Sequence, residues 1–152
     1  MSSPFQVSPL MPADHDRVLI VWEVAVRATH HFLSEHEIET LKPLVRQACF
    51  EGMPLFGVHD SEGEVIAFSG VDAPKLEALF VHPDWSGKGL GRLLVEHAIQ
   101  KQDVCLVDVN EQNPAAVDFY LHLGFEVAHR SDVDGFGKPY PLLHLKLPDQ
   151  TI

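Results

Sequence analysis

The sequence predicts a single α/β domain on a mixed sheet, antiparallel in its first half and flanked by about four helices. Three observations predict it. Two apolar runs, Leu55–His59 and Glu64–Val71, are joined across Asp60-Ser61-Glu62-Gly63, which is a hairpin signal. A helical apolar stripe separates the strand Leu76–Val81 from the Val-rich run Val104–Val109, so those two strands should be parallel. The 152 residues, 45% hydrophobic and 22% charged, suit one domain (1–152) with an ordinary core.

The remaining elements follow in chain order. Phe5–Val7 is a short strand candidate, and Met11-Pro12-Ala13-Asp14 opens a first helix. Val18, Leu19, Trp22, Val26 and Thr29 recur at helical spacing to about His31. Ser34, with Glu37 three residues later, forms a capping box for a second helix to about Phe50. Pro43 inside it predicts a kink or a break. Gly52 and Pro54 end the helical region, Ala73-Pro74 turns into the fourth strand, and His82–Ser86 is loop. Leu90, Leu93, Leu94 and Ala98 mark a third helix to about Lys101. The apolar run at Val104–Val109 reads as a fully buried strand. Asn113-Pro114 is a cap followed by proline at the first helical position, and Gly124 closes the fourth helix. Phe125–Arg130 and Pro141–Leu147 are the last strands.

Composition excludes several functions. Eleven Lys and Arg against 22 Asp and Glu give a net charge of −11, which argues against a nucleic-acid partner. The two cysteines, Cys49 and Cys105, are far apart, so a disulfide framework and a zinc knuckle are not expected and both thiols read as reduced and non-catalytic. The ten histidines lack ligand spacing, and His30 and His31 point ~100° apart on a helix, so no metal is expected. No apolar run reaches the ~20 residues of a membrane span. The cysteine usage makes a reducing cytoplasm the default compartment, and Met1-Ser2-Ser3-Pro4 lacks a basic n-region and an apolar h-region. A homodimer is allowed but not required.

The segment Gly87-Lys88-Gly89-Leu90-Gly91-Arg92 follows a strand and starts a helix. Glycines let backbone amides approach a ligand, and a helix N-terminus adds partial positive charge and unpaired donors. The segment therefore suits a phosphate or pyrophosphate. A Walker loop is excluded because Gly89, not Ser or Thr, follows Lys88. A Rossmann-type nucleotide site is the rival, with Asp108 as its ribose-binding acid, but the glycine spacing and the upstream hairpin oppose it.

Two motifs together resemble the GNAT superfamily of acetyl-CoA-dependent N-acetyltransferases. The family's Gln/Arg-x-x-Gly-x-Gly/Ala matches Ser86-Gly87-Lys88-Gly89-Leu90-Gly91, with Ser86 in place of Gln or Arg. A second pattern, Asn-x-x-Ala-x-x-Phe-Tyr-x-x-x-Gly-Phe, matches Asn113, Ala116, Phe119, Tyr120, Gly124 and Phe125. Stretches such as Ala28-Thr29-His30-His31-Phe32-Leu33 are similar to the bacterial YjaB-type branch.

The resemblance implies a GNAT-type sheet splayed between its fourth and fifth strands, with acetyl-CoA in the splay. Backbone groups of Leu79 and Val81 would meet the pantetheine arm, with Phe80 also in the cofactor site, and the segment Ser86–Arg92 would meet the pyrophosphate. Asn113, Ala116, Phe119 and Tyr120 would complete the cofactor site. Tyr120 occupies the family's general-acid position, and the Leu79 N–H would polarise the thioester carbonyl. Glu77, two residues before Leu79 and hence expected on its face, is a candidate base. His30, His31 and Tyr140 would line the acceptor side, where histidine suits proton transfer near neutral pH. The leading function is acetyl transfer to a primary amine of a small molecule or peptide. The alternative is a GNAT module that holds acetyl-CoA without turnover.

Overall fold

The fold was analysed in a computed structural model, which describes residues 4–50 and 52–148, with backbone alone at 48–50. The Cys49 thiol and residues 1–3 of the leader expectation lie outside that description. The elements are β1 (Ser8–Pro9), α1 (His15–Thr29), α2 (Glu35–Phe50), β2 (Leu55–His59), β3 (Val65–Asp72), β4 (Lys75–Val81), α3 (Leu90–Lys101), β5 (Leu106–Asn110), α4 (Pro114–His122), β6 (Glu126–Ser131) and β7 (Leu142–Lys146). Short 3₁₀ turns at Pro12–Asp14 and Pro83–Trp85 lead into α1 and the glycine segment.

One seven-stranded sheet runs in the order β1-β2-β3-β4-β5-β7-β6. The first four strands are mutually antiparallel, β4 and β5 are parallel, and β5, β7 and β6 are antiparallel again. Helices α1 and α2 cover one face, where Val18, Val21, Trp22 and Ile38 pack on Leu55, Val65 and Phe68. Helices α3 and α4 cover the other. There Leu90 and Leu94 meet Ile66, and Val95, Ala98 and Tyr120 meet Leu76, Val107 and Leu145. No helix among the described residues is long and apolar enough to cross a membrane.

The hairpin forms where the sequence places it. Asp60 Oδ1 accepts from the amides of Glu62 and Glu64, and Gly63 takes φ +82°, which favours glycine. The capping box also forms: Glu37 N–H donates to Ser34 Oγ at 3.1 Å, and Ser34 N–H to Glu37 Oε1 at 3.0 Å. Gly124, at φ +100°, closes α4.

Four expectations need correction. The first strand is not Phe5–Val7 but Ser8–Pro9, an edge pairing in which proline needs no donor. Phe5 and Val7 instead pack beside Trp85, with the Phe5 and Trp85 rings 6.0 Å apart. Helix α1 stops at Thr29 rather than His31, because His30 leaves helical geometry at φ −103°, ψ 62°. Pro43 does not break α2, which continues to Phe50. Proline removes one backbone bond, but Ile38, Leu41 and Val45 bury the helix face around it, and packing outweighs the local cost.

The fifth strand begins two residues late. Val104 and Cys105 spend their amides on Ala98 O and Pro74 O instead of a ladder. Cys105 is exposed with a free thiol. The strand is buried on one side only: Val107 and Val109 enter the core, while Asp108 faces a polar surface.

The cap supplies a stability test. Replacing Ser34 with Ala orphans the Glu37 amide and should cost about 1 kcal/mol. We expect a lower urea midpoint with an unchanged m-value; an unchanged midpoint would remove the cap from the list of stabilising interactions.

Candidate active site

Strand β4 presents bare backbone to one side. The His82 N–H donates to Ile66 O, which marks 66/82 as a hydrogen-bonded pair of the β3–β4 ladder. Bonded and non-bonded pairs alternate in an antiparallel ladder. The pairs Ala67/Val81 and Ser69/Leu79 are therefore non-bonded, and Leu79 and Val81 turn their N–H and C=O groups toward β5. The β4–β5 register comprises two pairs, Lys75/Leu106 and Leu76/Val107, and does not reach Leu79 or Val81.

A cleft of about 710 Å³ opens beside these groups. Leu79, Phe80 and Val81 form one wall, the glycine segment another, and α4 with the end of α1 the rest. Gly89 is the N-cap of α3 at φ +81°, with no side chain capping the first turn. Its amides are thus available to a ligand. A Cβ built on Gly87 or Gly89 meets nothing within 4 Å, whereas one on Gly91 comes within 3.3 Å of the Phe119 ring. The first two glycines keep the backbone open toward the cleft; the third lets α3 pack against α4. This space and donor set fit a pyrophosphate. Ser86 spends its hydroxyl on Pro83 O at 2.9 Å, so its side chain serves the turn.

Helix α4 starts where Asn113 Oδ1 accepts the Ala116 amide at 3.3 Å, behind Pro114. The helix delivers Tyr120 to the cleft while burying its ring. Tyr120 is 7% exposed and packs edge-on against Phe119 and Phe125, with centroids 5.0 and 5.7 Å away. Burial pushes its phenol pKa well above the ordinary range, so it holds its proton at neutral pH.

Twelve of the thirteen residues from Leu79 to Tyr120 expected beside Tyr120 as cofactor contacts share this cleft with it, namely Leu79, Phe80, Val81, Ser86, Gly87, Gly89, Leu90, Gly91, Arg92, Asn113, Ala116 and Phe119. His30 lines it too. Lys88 does not; it is exposed to solvent. Arg92 pairs with Glu96 at 2.7 Å.

Glu77 is not on the face of Leu79. The register slips between Gly70 and Val71, leaving Glu77 as the extra residue of a β-bulge. Leu76 and Leu79 consequently both pack toward α3, while Glu77 joins Ala78 and Phe80 on a second cavity of about 670 Å³ against α1 and α2. Trp22, Phe68 and Asp72 also line that cavity, and Phe80 borders both. His31 and Tyr140 do not line the cleft. The Tyr140 hydroxyl donates to Glu37, which lies at the start of α2, and its ring sits 5.3 Å from Phe32, itself 5.4 Å from His30. Sequence reasoning missed Ala25, Ala28, Thr29, Pro83, Trp85 and Ala115 in the cleft wall. The small residues at i, i+3 and i+4 of α1 were the available signal.

The Rossmann alternative fails on the same geometry. Five of the six strand pairings are antiparallel, and Asp108 is engaged by Lys75 and, at 2.7 Å, by His144.

Comparison with known proteins agrees with this geometry. A family model described as an acetyltransferase (GNAT) domain matches residues 54–127. The peptidyl-lysine N-acetyltransferase YjaB of Salmonella typhimurium (strain LT2) is 41% identical over 133 residues, covering 88% of this chain and 91% of that protein. The solution structure of apo YjaB from Escherichia coli superposes with a TM-score of 0.83 at 36% identity, covering 93% of this chain and 96% of the other. At the level of fold alone, an N-acetyltransferase from Thermoplasma acidophilum in complex with coenzyme A gives a TM-score of 0.69 at 22% identity, over 97% of this chain and all of that one. With its glycine segment, open strand and buried tyrosine on one cleft, this chain belongs to the GNAT family of N-acetyltransferases.

Proposed function

We propose that the chain moves an acetyl group from acetyl-CoA to a primary amine carried on an apolar stem, of which a peptidyl lysine is the type, by direct attack. The observation that carries this reading is the convergence of three features on one cleft: free backbone of Leu79 and Val81, the open first turn of α3, and the Tyr120 hydroxyl. Acetyl-CoA supplies the activated acetyl group. Leu79 and Val81 would pair with its pantetheine arm as an added strand, and amides of Gly87, Gly89, Leu90 and Gly91 would hold the pyrophosphate. The Leu79 N–H polarises the thioester carbonyl, and Tyr120, kept neutral by burial, donates a proton to the departing sulfur.

The acceptor side is the second cavity. Trp22, Phe68 and Phe80 suit a methylene stem, and Asp72 and Glu77 suit the cation at its end. The lysyl acceptor of YjaB has that chemistry, and the net charge of −11 favours a cationic partner. His31, beside His30, and Tyr140, through Phe32, would border the acceptor.

The direct test is release of free CoA from acetyl-CoA with lysyl peptides, free amino acids and polyamines. Release with a lysyl peptide supports the reading; binding of acetyl-CoA without release to any amine assigns a non-catalytic module instead.

Two variants address the cofactor end. Gly89→Val places a branched side chain at a left-handed position and against the pyrophosphate space, and should abolish the thermal shift given by acetyl-CoA. Lys88→Ala removes an exposed charge and should only weaken it. Wild-type affinity in Gly89→Val would refute the loop assignment.

Tyr120→Phe keeps the ring packing and removes the O–H. Affinity for acetyl-CoA should stay within a few-fold while kcat falls by roughly 10²–10⁴, the usual worth of a positioned acid. Loss of stability together with binding would make Tyr120 a packing residue.

A further inference from the structure

His30 ends α1 at the cleft, and its ring orientation is set by its neighbour. Thr29 Oγ1 lies 2.8 Å from Ala25 O and 2.8 Å from His30 Nδ1. A carbonyl oxygen only accepts, so the single hydroxyl proton of Thr29 goes to Ala25 O. The contact to His30 is then a bond donated by Nδ1–H to Thr29 Oγ1. This fixes the tautomer: Nε2 carries no proton and is left as the acceptor. No described residue hydrogen-bonds that nitrogen. The ring is flanked by Phe32 at 5.4 Å and by Phe80 at 6.5 Å, and Phe80 borders both the cleft and the acceptor cavity.

We propose that His30 is the general base of the acetyl transfer, taking the amine proton on Nε2, and that Thr29 is the positioning residue that holds it in the Nδ1–H tautomer. The inference rests on the acetyl-transfer reading above. The acceptor arrives as an ammonium ion, and Nε2 removes one proton to give the neutral amine. The amine nitrogen bonds the acetyl carbon, the carbon–sulfur bond breaks, and Tyr120 supplies the proton that leaves as part of CoA thiol. The second proton of the attacking nitrogen passes by way of solvent to restore the Tyr120 hydroxyl, and His30 returns its own proton to solvent. The net change is ammonium plus thioester to amide, thiol and one proton.

The surroundings suit a base that must be neutral when it acts. Burial, then the adjoining His31, lower the His30 pKa. Phe32 and Phe80 bring no charge, and the other ionisable groups on the cleft are Tyr120 and Arg92, the latter paired with Glu96. A base works only when unprotonated, so kcat should fall as pH drops through the His30 pKa. That acidic limb should lie below the ordinary imidazole value of about 6.5.

The test has two arms. In the unliganded protein, imidazole ¹⁵N shifts should report a protonated Nδ1 and a bare Nε2 for His30; the opposite tautomer overturns the proposal. In turnover, His30→Gln should bind acetyl-CoA normally, lose roughly 10²–10⁴ in kcat near neutral pH, and lose the acidic limb. Its rate should instead climb at alkaline pH, where the amine sheds its own proton. Thr29→Val should move the limb and lower kcat, and Thr29→Ser should restore both. A wild-type rate and pH profile in His30→Gln overturns the base while leaving acetyl transfer standing. No CoA release from the wild-type protein with any amine overturns both.

Discussion

The rest of the structure depends on a ladder that stops early. Strands β4 and β5 pair at two positions, Lys75/Leu106 and Leu76/Val107, and the remaining length of β4 turns free backbone toward the gap. An unpaired strand inside a sheet is costly unless something else satisfies it. Here the cost is offset by packing on both faces. Leu76 and Leu79 lie on the α3–α4 side, and Ala78 and Phe80 on the α1–α2 side. The strand is therefore held in place by its side chains and by β3, and its edge toward the gap stays free.

The same device recurs in the flanking helices. Helices α1, α3 and α4 each present polar groups to the cleft from one end. Asn113 and Pro114 start α4, and the aromatic stack of Phe119, Tyr120 and Phe125 fixes the phenol. Gly89 starts α3 and leaves its first-turn amides uncapped. Helix α1 ends at Thr29, and His30 departs from the helix against Phe32 and Phe80. Arg27 and Lys42 tie the two helices of that face together through Glu23, Glu35 and Glu39. Such exposed pairs contribute little stability one by one, but as a network they hold the register of α1 on α2.

Much of this was legible in the sequence, for reasons that can be named. The glycine segment, the Asn-Pro cap and the Ser34–Glu37 box are local chemistry, and local chemistry is written in adjacent residues. The element order is likewise carried by hydrophobic period. What was not legible depends on partners distant in the chain. Glu77 changes face because the register slips at Gly70 and Val71, a pairing no spacing rule sees. Pro43 stays helical because buried Ile38 and half-buried Leu41 and Val45 pack the helix onto the sheet around it. Val104 leaves the strand because its amide caps α3. The tautomer of His30 follows from two contacts of one hydroxyl, and Thr29 by itself gives no sign of them.

The central claim is that the free edge of β4 and the first turn of α3 together receive acetyl-CoA. Amide hydrogen exchange with and without acetyl-CoA tests it most directly, because it reads the backbone groups themselves. We expect new protection at Leu79, Val81 and the amides of residues 87–92, with β6 and β7 unchanged. Protection confined to the second cavity, around Met53, Leu55 and Ala78, or no change along β4, would contradict it.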